Sequence, residues 1–335
     1  MAAVAFTVGT LVGCSSTPPG PRIWRDPKVE STFGWVVTGD YPYGQTQVRQ
    51  LPAVIRQINA DPAVDLVFHV GDIKGAGSCS NSYYAMIKAA FDHFDDPLIY
   101  TFGDNEWTDC SRADNGSFNP LERLSTLRRV FIPKPGYTLG RPMVVTSQNL
   151  SGFPENVSFV RDQVAFGAFH AVGSANGLIP WRGRTHPTVE QRAEVQSRAT
   201  QAAQLIRQTF ANARQENCAT VALFTQADMF PPDDELTATA VYGSIVSTLA
   251  REASTFPGEV YLFNGDSHSY RTDKPLGSHS DWPVAYKVPP ADNLTRVTIE
   301  GGTNAAGYLR VTTRPYGSPT LTWAPQTLPS QPANR

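Results

Sequence analysis

Apolar residues along this chain alternate between two patterns. Short unbroken runs end in polar clusters, and longer stretches between them carry apolar residues at helical spacing. "TFGWVVTGD" (32–40), "VDLVFHVGD" (64–72) and "PLIYTFGD" (97–104) are runs of the first kind and predict buried strands. "QTQVRQLPAVIRQINA" (45–60) and "SYYAMIKAAFDHF" (82–94) are stretches of the second kind and predict helices. The opening third therefore reads strand-helix-strand-helix-strand, which argues for a parallel sheet with right-handed crossovers.

Beyond it, "NPLERLSTLRRVF" (119–131) predicts a short helix. Strand-like pieces follow: "MVVTS" (143–147), "VSFVRD" (157–162) and "VAFGAFHAVG" (164–173), the last two flanking a hairpin turn at Asp162-Gln163. A long polar helix over Thr188 to Glu216 precedes the strand "CATVALFTQAD" (218–228). A helix near Glu235 to Glu252 precedes "EVYLFNGDSHSY" (259–270). "LTRVTIEG", "GYLRVTT" and "TLTWAP" predict three last strands. Nothing within 30–325 looks like a linker, so the α/β chain is expected to form one domain over 29–335, with two sheets and outer helices.

Composition narrows the function classes. The 335 residues are 41% hydrophobic and 17% charged, with a net charge of −2, which gives no electrostatic footprint for nucleic acid. No apolar run reaches the roughly 20 residues that span a bilayer. Residues 1–28 stand apart: an apolar run, then Leu11-Val12-Gly13-Cys14, then a Ser/Pro/Gly linker. Leu-x-Gly-Cys resembles the bacterial lipoprotein signal, which implies export and a lipid anchor to the membrane at Cys14. The alternative is a tail with an incidental Cys. Export bears on the remaining cysteines, because disulfides persist in oxidising compartments. Cys79 and Cys110 follow two successive strand ends, and a bridge between them is plausible if those strands are neighbours. Cys218 reads as a buried thiol.

The chemistry collects where strands end. Five apolar runs finish at Asp40, Asp72, Asp104, Gln226 and Asp266, and the four acidic ones are each part of a Gly-Asp pair. One Gly-Asp after a strand is an ordinary turn. Four of them suggest a shared rim, because ligands of open α/β sheets bind outside the carboxyl ends of the strands. Clustered carboxylates repel one another unless a cation or a proton lies between them. The expected site is therefore a cation site rich in oxygen ligands.

The order and spacing of these residues resemble the calcineurin-like metallophosphoesterases. That family's pattern runs Asp-x-His, Gly-Asp, Gly-Asn-His-Asp/Glu, a lone His after a strand, and Gly-His-x-His. Asp40, Asp72, Gly103, Glu106 and His268 match it. Pro42 replaces the first His, Asp104 the Asn, Asn105 the acid or phosphate-contacting His, Gln226 the lone His, and Asp266 the first His of the final pair. The resemblance covers roughly 32 to 310. It implies a four-layer αββα sandwich of two mixed β-sheets flanked by helices. It also implies two divalent metal ions about 3.5–4 Å apart and a phosphate-ester substrate. Asp40, Asp72, Asp104, Gln226, Asp266 and His268 are the implied metal ligands, with His268, Asn105 and Glu106 as catalytic candidates. Loss of imidazole at Gln226 and Asp266, with Asp at 104, shifts the preference from Zn²⁺ toward Mg²⁺, Mn²⁺ or Ca²⁺. Asn105 cannot carry a proton, so a hydrolase using this site needs a leaving group that requires no acid, or another acid: His268 if it is not a ligand, or Asp104, Glu106 or Asp109. The alternative function is a catalytically inactive cell-envelope relative that keeps the scaffold and binds a ligand or partner. Lys74 could then salt-bridge into the cluster. His69, His170 and Trp107 read as core residues.

Overall fold

In the computed structural model, residues 33–314 and 317–329 are described, together with Met1. The lipoprotein-type segment and Cys14 lie outside the described residues. The opening unit is β1 (Gly34–Thr38), α1 (Gly44–Asn59), β2 (Leu66–His69), α2 (Asn81–Phe91) and β3 (Pro97–Tyr100). These three strands pair in parallel, as their unbroken apolar runs require, since such strands are buried on both faces. Ser80 caps α2 by accepting from the Tyr83 backbone N–H.

The chain continues through α3 (Pro120–Phe131), β4 (Leu139–Gly140), β5 (Thr146–Gln148), β6 (Phe153–Arg161) and β7 (Val164–Ala168). Asp162 and Gln163 both take positive φ between β6 and β7, the turn expected there. Next come a short left-handed turn labelled α4 (Gly173–Gly177), then α5 (Val189–Gln215), β8 (Thr220–Phe224), α6 (Glu235–Ser254) and β9 (Glu259–Asn264). Thr188 and Gln191 form a capping box at the start of α5. The last elements are β10 (Arg271–Asp273), α7 (Trp282–Tyr286), β11 (Leu294–Thr298), β12 (Gly307–Thr313) and β13 (Leu321–Thr327).

Two mixed sheets result among the described residues. One has six strands in the order β13-β12-β1-β2-β3-β4, and the other seven in the order β10-β11-β9-β8-β7-β6-β5. Their inner faces pack on each other through Trp35, Phe68, Phe166, Phe224 and Phe263. The Phe68 and Phe224 rings stack across this layer with centroids 3.7 Å apart. The outer face of the six-stranded sheet carries α1, α2 and α3. That of the seven-stranded sheet carries α5, α6 and α7. This is the expected four-layer αββα sandwich. Sequence periodicity misses β4 and β10, two- and three-residue edge strands too short to show a pattern. "MVVTS" contributes only Thr146 and Ser147 to a strand.

Candidate metal centre

Each sheet sends strand ends to the same place. Asp40 follows β1, Asp72 follows β2 and Asp104 follows β3; Gln226 follows β8, and Asp266 and His268 follow β9. The loops are cross-connected in the backbone: Asp40 N–H donates to Gly71 O at 2.9 Å, and Gly265 N–H donates to Gln226 O at 3.0 Å. Asp40, Asp72, Asp266 and His268 all hold positive φ, between 45° and 72°. Non-glycine residues adopt that region at a cost that surrounding structure must offset, and such residues cluster at functional sites.

Three donors converge most closely. One ligand atom each of Asp40, Asp72 and His268 lies within 4.8 Å of the other two. His268 Nε2 is 3.6 Å from Asp40 Oδ1. Both carboxylates are buried, and the His268 side chain is 41% exposed at the mouth. Burial raises the Asp40 pKa, and the hydrogen bond and charge of His268 act against that rise. Burial first, then the charges of Asp104, Glu106 and Asp40, push Asp72 well above the usual carboxylate range. His268 is shifted upward, chiefly by its hydrogen bond to Asp40. A divalent cation placed among these three groups would remove the repulsion that burial has created, so the donor set fits such an ion.

The other half of the crevice is built differently. Gln226 Nε2 lies 3.1 Å from Asp104 Oδ1, 3.2 Å from Asp266 Oδ1 and 3.5 Å from Asp72 Oδ2. Its Oε1 accepts from Gly173 N–H at 2.7 Å. The expected oxygen ligand thus turns its oxygen away and its N–H groups toward the carboxylates. Asp104 Oδ2 accepts from Ser174 Oγ at 2.7 Å, and Asp266 Oδ2 accepts from Asp228 N–H at 3.1 Å.

Asn105 faces the crevice. Its Nδ2 donates to Asp72 Oδ2 and to Tyr43 Oη, each at 2.7 Å. Glu106 does not face it. That carboxylate is wholly buried behind the rim, where Oε1 accepts from Gly103 N–H, Asp72 N–H and Tyr100 Oη at 2.6, 3.1 and 2.8 Å. Its place is that of a brace joining two rim loops. Gly103 is required here, because a Cβ would run into the Asp72 carboxylate. Lys74 does not reach the carboxylates by a salt bridge; its Nζ donates to Asn105 O at 3.1 Å. The Cys79–Cys110 disulfide joins the loops after β2 and β3, and Cys218 is free and buried.

His69 and His170 are core residues, held by Tyr41 O at 2.8 Å and Glu155 Oε1 at 2.9 Å. Trp107 is 2% exposed and lies beneath the Arg198 guanidinium. Sequence reasoning missed Tyr43, Ser174 and Asp228. Tyr43 Oη is 2.8 Å from Asp72 Oδ2 and 3.2 Å from His268 Nε2. Its only sequence signal is its place three residues after Asp40 in "GDYPYG". Asp228 is buried and paired with Arg296 at 2.5 Å, and the last residue of "FTQAD" could have been read as part of the same rim.

No family model matches the chain, and no curated protein sequence matches it significantly. Solved structures do. A dimetal phosphatase from Danio rerio is similar over 83% of this chain and 92% of its own, with a TM-score of 0.51 and 12% identity. A provisionally named 5'-nucleotidase from Staphylococcus aureus is similar over 91% of this chain and 56% of its own, with a TM-score of 0.46 and 12% identity. The GAP50 anchor of the Plasmodium inner membrane complex is similar over 90% of each chain, with a TM-score of 0.43 and 6% identity. Two facing mixed sheets, a rim of acidic strand ends in the order read from the sequence, and the first of these likenesses lead to one conclusion: the chain has the calcineurin-like metallophosphoesterase fold, in a divergent form.

Proposed function

We propose that the protein is an exported, metal-dependent phosphoester hydrolase whose cation is held by Asp40, Asp72 and His268. The observation that carries this reading is the convergence of those three donors within 4.8 Å at the carboxyl ends of strands from both sheets. A bound divalent cation supplies electrostatic stabilisation for the charge that builds on a transferring phosphoryl group. The all-oxygen character apart from His268 favours Mg²⁺, Mn²⁺ or Ca²⁺ over Zn²⁺.

The chain's own residues supply the rest. Asn105 Nδ2 and Tyr43 Oη, both at the mouth beside Asp72, are hydrogen-bonding groups for a phosphate ester. His268 is committed to the cation in this reading and Asn105 carries no proton, so the reading suits phosphate esters whose leaving group needs no proton from the protein. Export and a lipid anchor at Cys14 belong to the same proposal. The disulfide supports them, because such bonds persist outside reducing compartments.

The test is the metal content of the purified protein, together with phosphate release from phosphomonoesters and phosphodiesters in Mg²⁺, Mn²⁺, Ca²⁺ and Zn²⁺. Metal-dependent release that Asp72→Asn abolishes supports the reading; absence of metal and of release under every condition refutes it. One observation favours a second reading, a non-catalytic envelope protein. Asp72, Asp104 and Asp266 already find internal donors in Tyr43, Asn105, Gln226 and Ser174. Binding of a phosphate ester without turnover would select it.

A further inference from the structure

The family pattern implies a pair of ions, and the second half of this crevice does not fit one. An ion there would need oxygens of Asp72, Asp104 and Asp266 at about 2.0–2.6 Å. Those oxygens already surround the Gln226 amide nitrogen, at 3.5, 3.1 and 3.2 Å. The amide cannot turn to offer oxygen instead. Its Oε1 accepts from Gly173 N–H at 2.7 Å, and a flip would set two donors against each other while facing oxygen toward three carboxylates.

The supporting backbone holds Gly173 in place. Gly173 is buried, and a Cβ there would run into Asp266 Oδ1 and press on Asp104 Oδ2. The next three residues, Ser174, Ala175 and Asn176, all take left-handed φ of 49° to 54°. Three successive non-glycine residues in that region are costly. They are held by side chains on both sides: Ser174 Oγ bonds Asp104 and Asp109, at 2.7 and 2.9 Å, and the Asn176 side-chain oxygen accepts from the buried Arg198 at 2.5 Å. The strained turn thus aims one N–H at Gln226 and one hydroxyl at Asp104. By contrast the Asp40 carboxylate, on the other side, accepts among the described residues only from Asp266 N–H at 3.0 and 3.3 Å, apart from its contact with His268.

We propose that the crevice takes a single divalent cation, at Asp40, Asp72 and His268, and that the Gln226 carboxamide stands where a second ion would bind among Asp72, Asp104 and Asp266. This rests on the metal-dependent reading above and changes its stoichiometry: one ion, with an uncharged donor neutralising the second half.

The experiment is titration of chelator-stripped full chain with Mn²⁺, read as bound ions per chain and by low-temperature electron paramagnetic resonance. The expected result is one Mn²⁺ per chain with the six-line spectrum of an isolated ion, lost in Asp40→Asn. Gln226→His, which restores an imidazole to the second half, should take two ions and give an exchange-coupled spectrum. Two ions with a coupled spectrum in the wild-type chain would overturn the proposal and leave the hydrolase reading standing. No bound Mn²⁺ in the wild-type chain would overturn both. A folded Gln226→His chain that still takes one ion would overturn the role assigned to Gln226.

Discussion

The Tyr43 hydroxyl lies 2.8 Å from Oδ2 of Asp72, so a phenol closes the side of the crevice beside Asp40 and Asp72, one residue after Pro42. Burial first, then the charges of Asp72 and Asp40, push the Tyr43 pKa far up, so the group stays a neutral donor at every physiological pH. It therefore competes with a cation for Asp72. A hydrogen bond to a charged group contributes roughly 1.5–3 kcal/mol. Tyr43→Phe is expected to tighten Mn²⁺ binding roughly tenfold, measured by calorimetry. Weaker binding in the variant would mean that the hydroxyl serves the ion instead.

Gly173 has no room for a side chain. Its Cβ would meet the carboxylates of Asp266 and Asp104, both of which are fixed by other bonds. Gly173→Ala is expected to destabilise the fold by about 1–3 kcal/mol, the range for overpacking. It should also displace Gln226, whose amide oxygen rests on Gly173 N–H. Urea unfolding measures the first effect. A variant as stable as the wild type would show that the turn yields easily.

Cys79 and Cys110 are 31 residues apart, and the bridge ties the Asp72 loop to the Asp104 loop. Chain-entropy arguments give about 3–4 kcal/mol for a closed loop of that length. Replacing both cysteines with alanine should lower stability by that order and loosen Asn105, whose carbonyl lies against both sulfurs at 3.6 and 3.8 Å. Denaturant midpoints with and without the bridge test this; equal midpoints would contradict it.

His69 sets a pH dependence of stability. Burial lowers its pKa from 6.5 to about 4, against the raising effect of its bond to Tyr41 O. The unfolded chain therefore binds this proton first as pH falls, so stability is full above pH 6.5 and declines down to about pH 4. The shift corresponds to roughly 3 kcal/mol. The wild-type chain should lose about that much more stability than His69→Gln between pH 7 and pH 4, measured by urea unfolding at each pH. Identical pH profiles would count against it.

The strand-end carboxylates were legible because each ends an apolar run that can only be a buried strand. The alternation of such runs with helical stretches gave two sheets and outer helices, and the family resemblance implied their four-layer arrangement; the edge strands β4 and β10 and the five-residue α4 and α7 are too short to show a pattern. What the amide of Gln226 does was not legible. Residue type gives an oxygen and a nitrogen, and the choice is made by Gly173 N–H, 53 residues away in the chain. Ser174 lay hidden for a related reason: its left-handed turn has no periodic signature, although it places a hydroxyl on Asp104. Glu106 shows a different limit of motif reading. Motif position marked it as catalytic, while its burial and its three bonds make it a brace.

In the function proposed above, Asp40, Asp72 and His268 hold a divalent cation that phosphoester hydrolysis requires. The most direct test is hydrolysis of p-nitrophenyl phosphate and its bis ester by chelator-stripped protein, with Mn²⁺ or Mg²⁺ added back. The expected result is turnover that appears with the ion, saturates with it, and falls at least about a hundredfold in Asp72→Asn, an order typical of removing a group that stabilises transition-state charge. Turnover unchanged by stripping or by Asp72→Asn would contradict it.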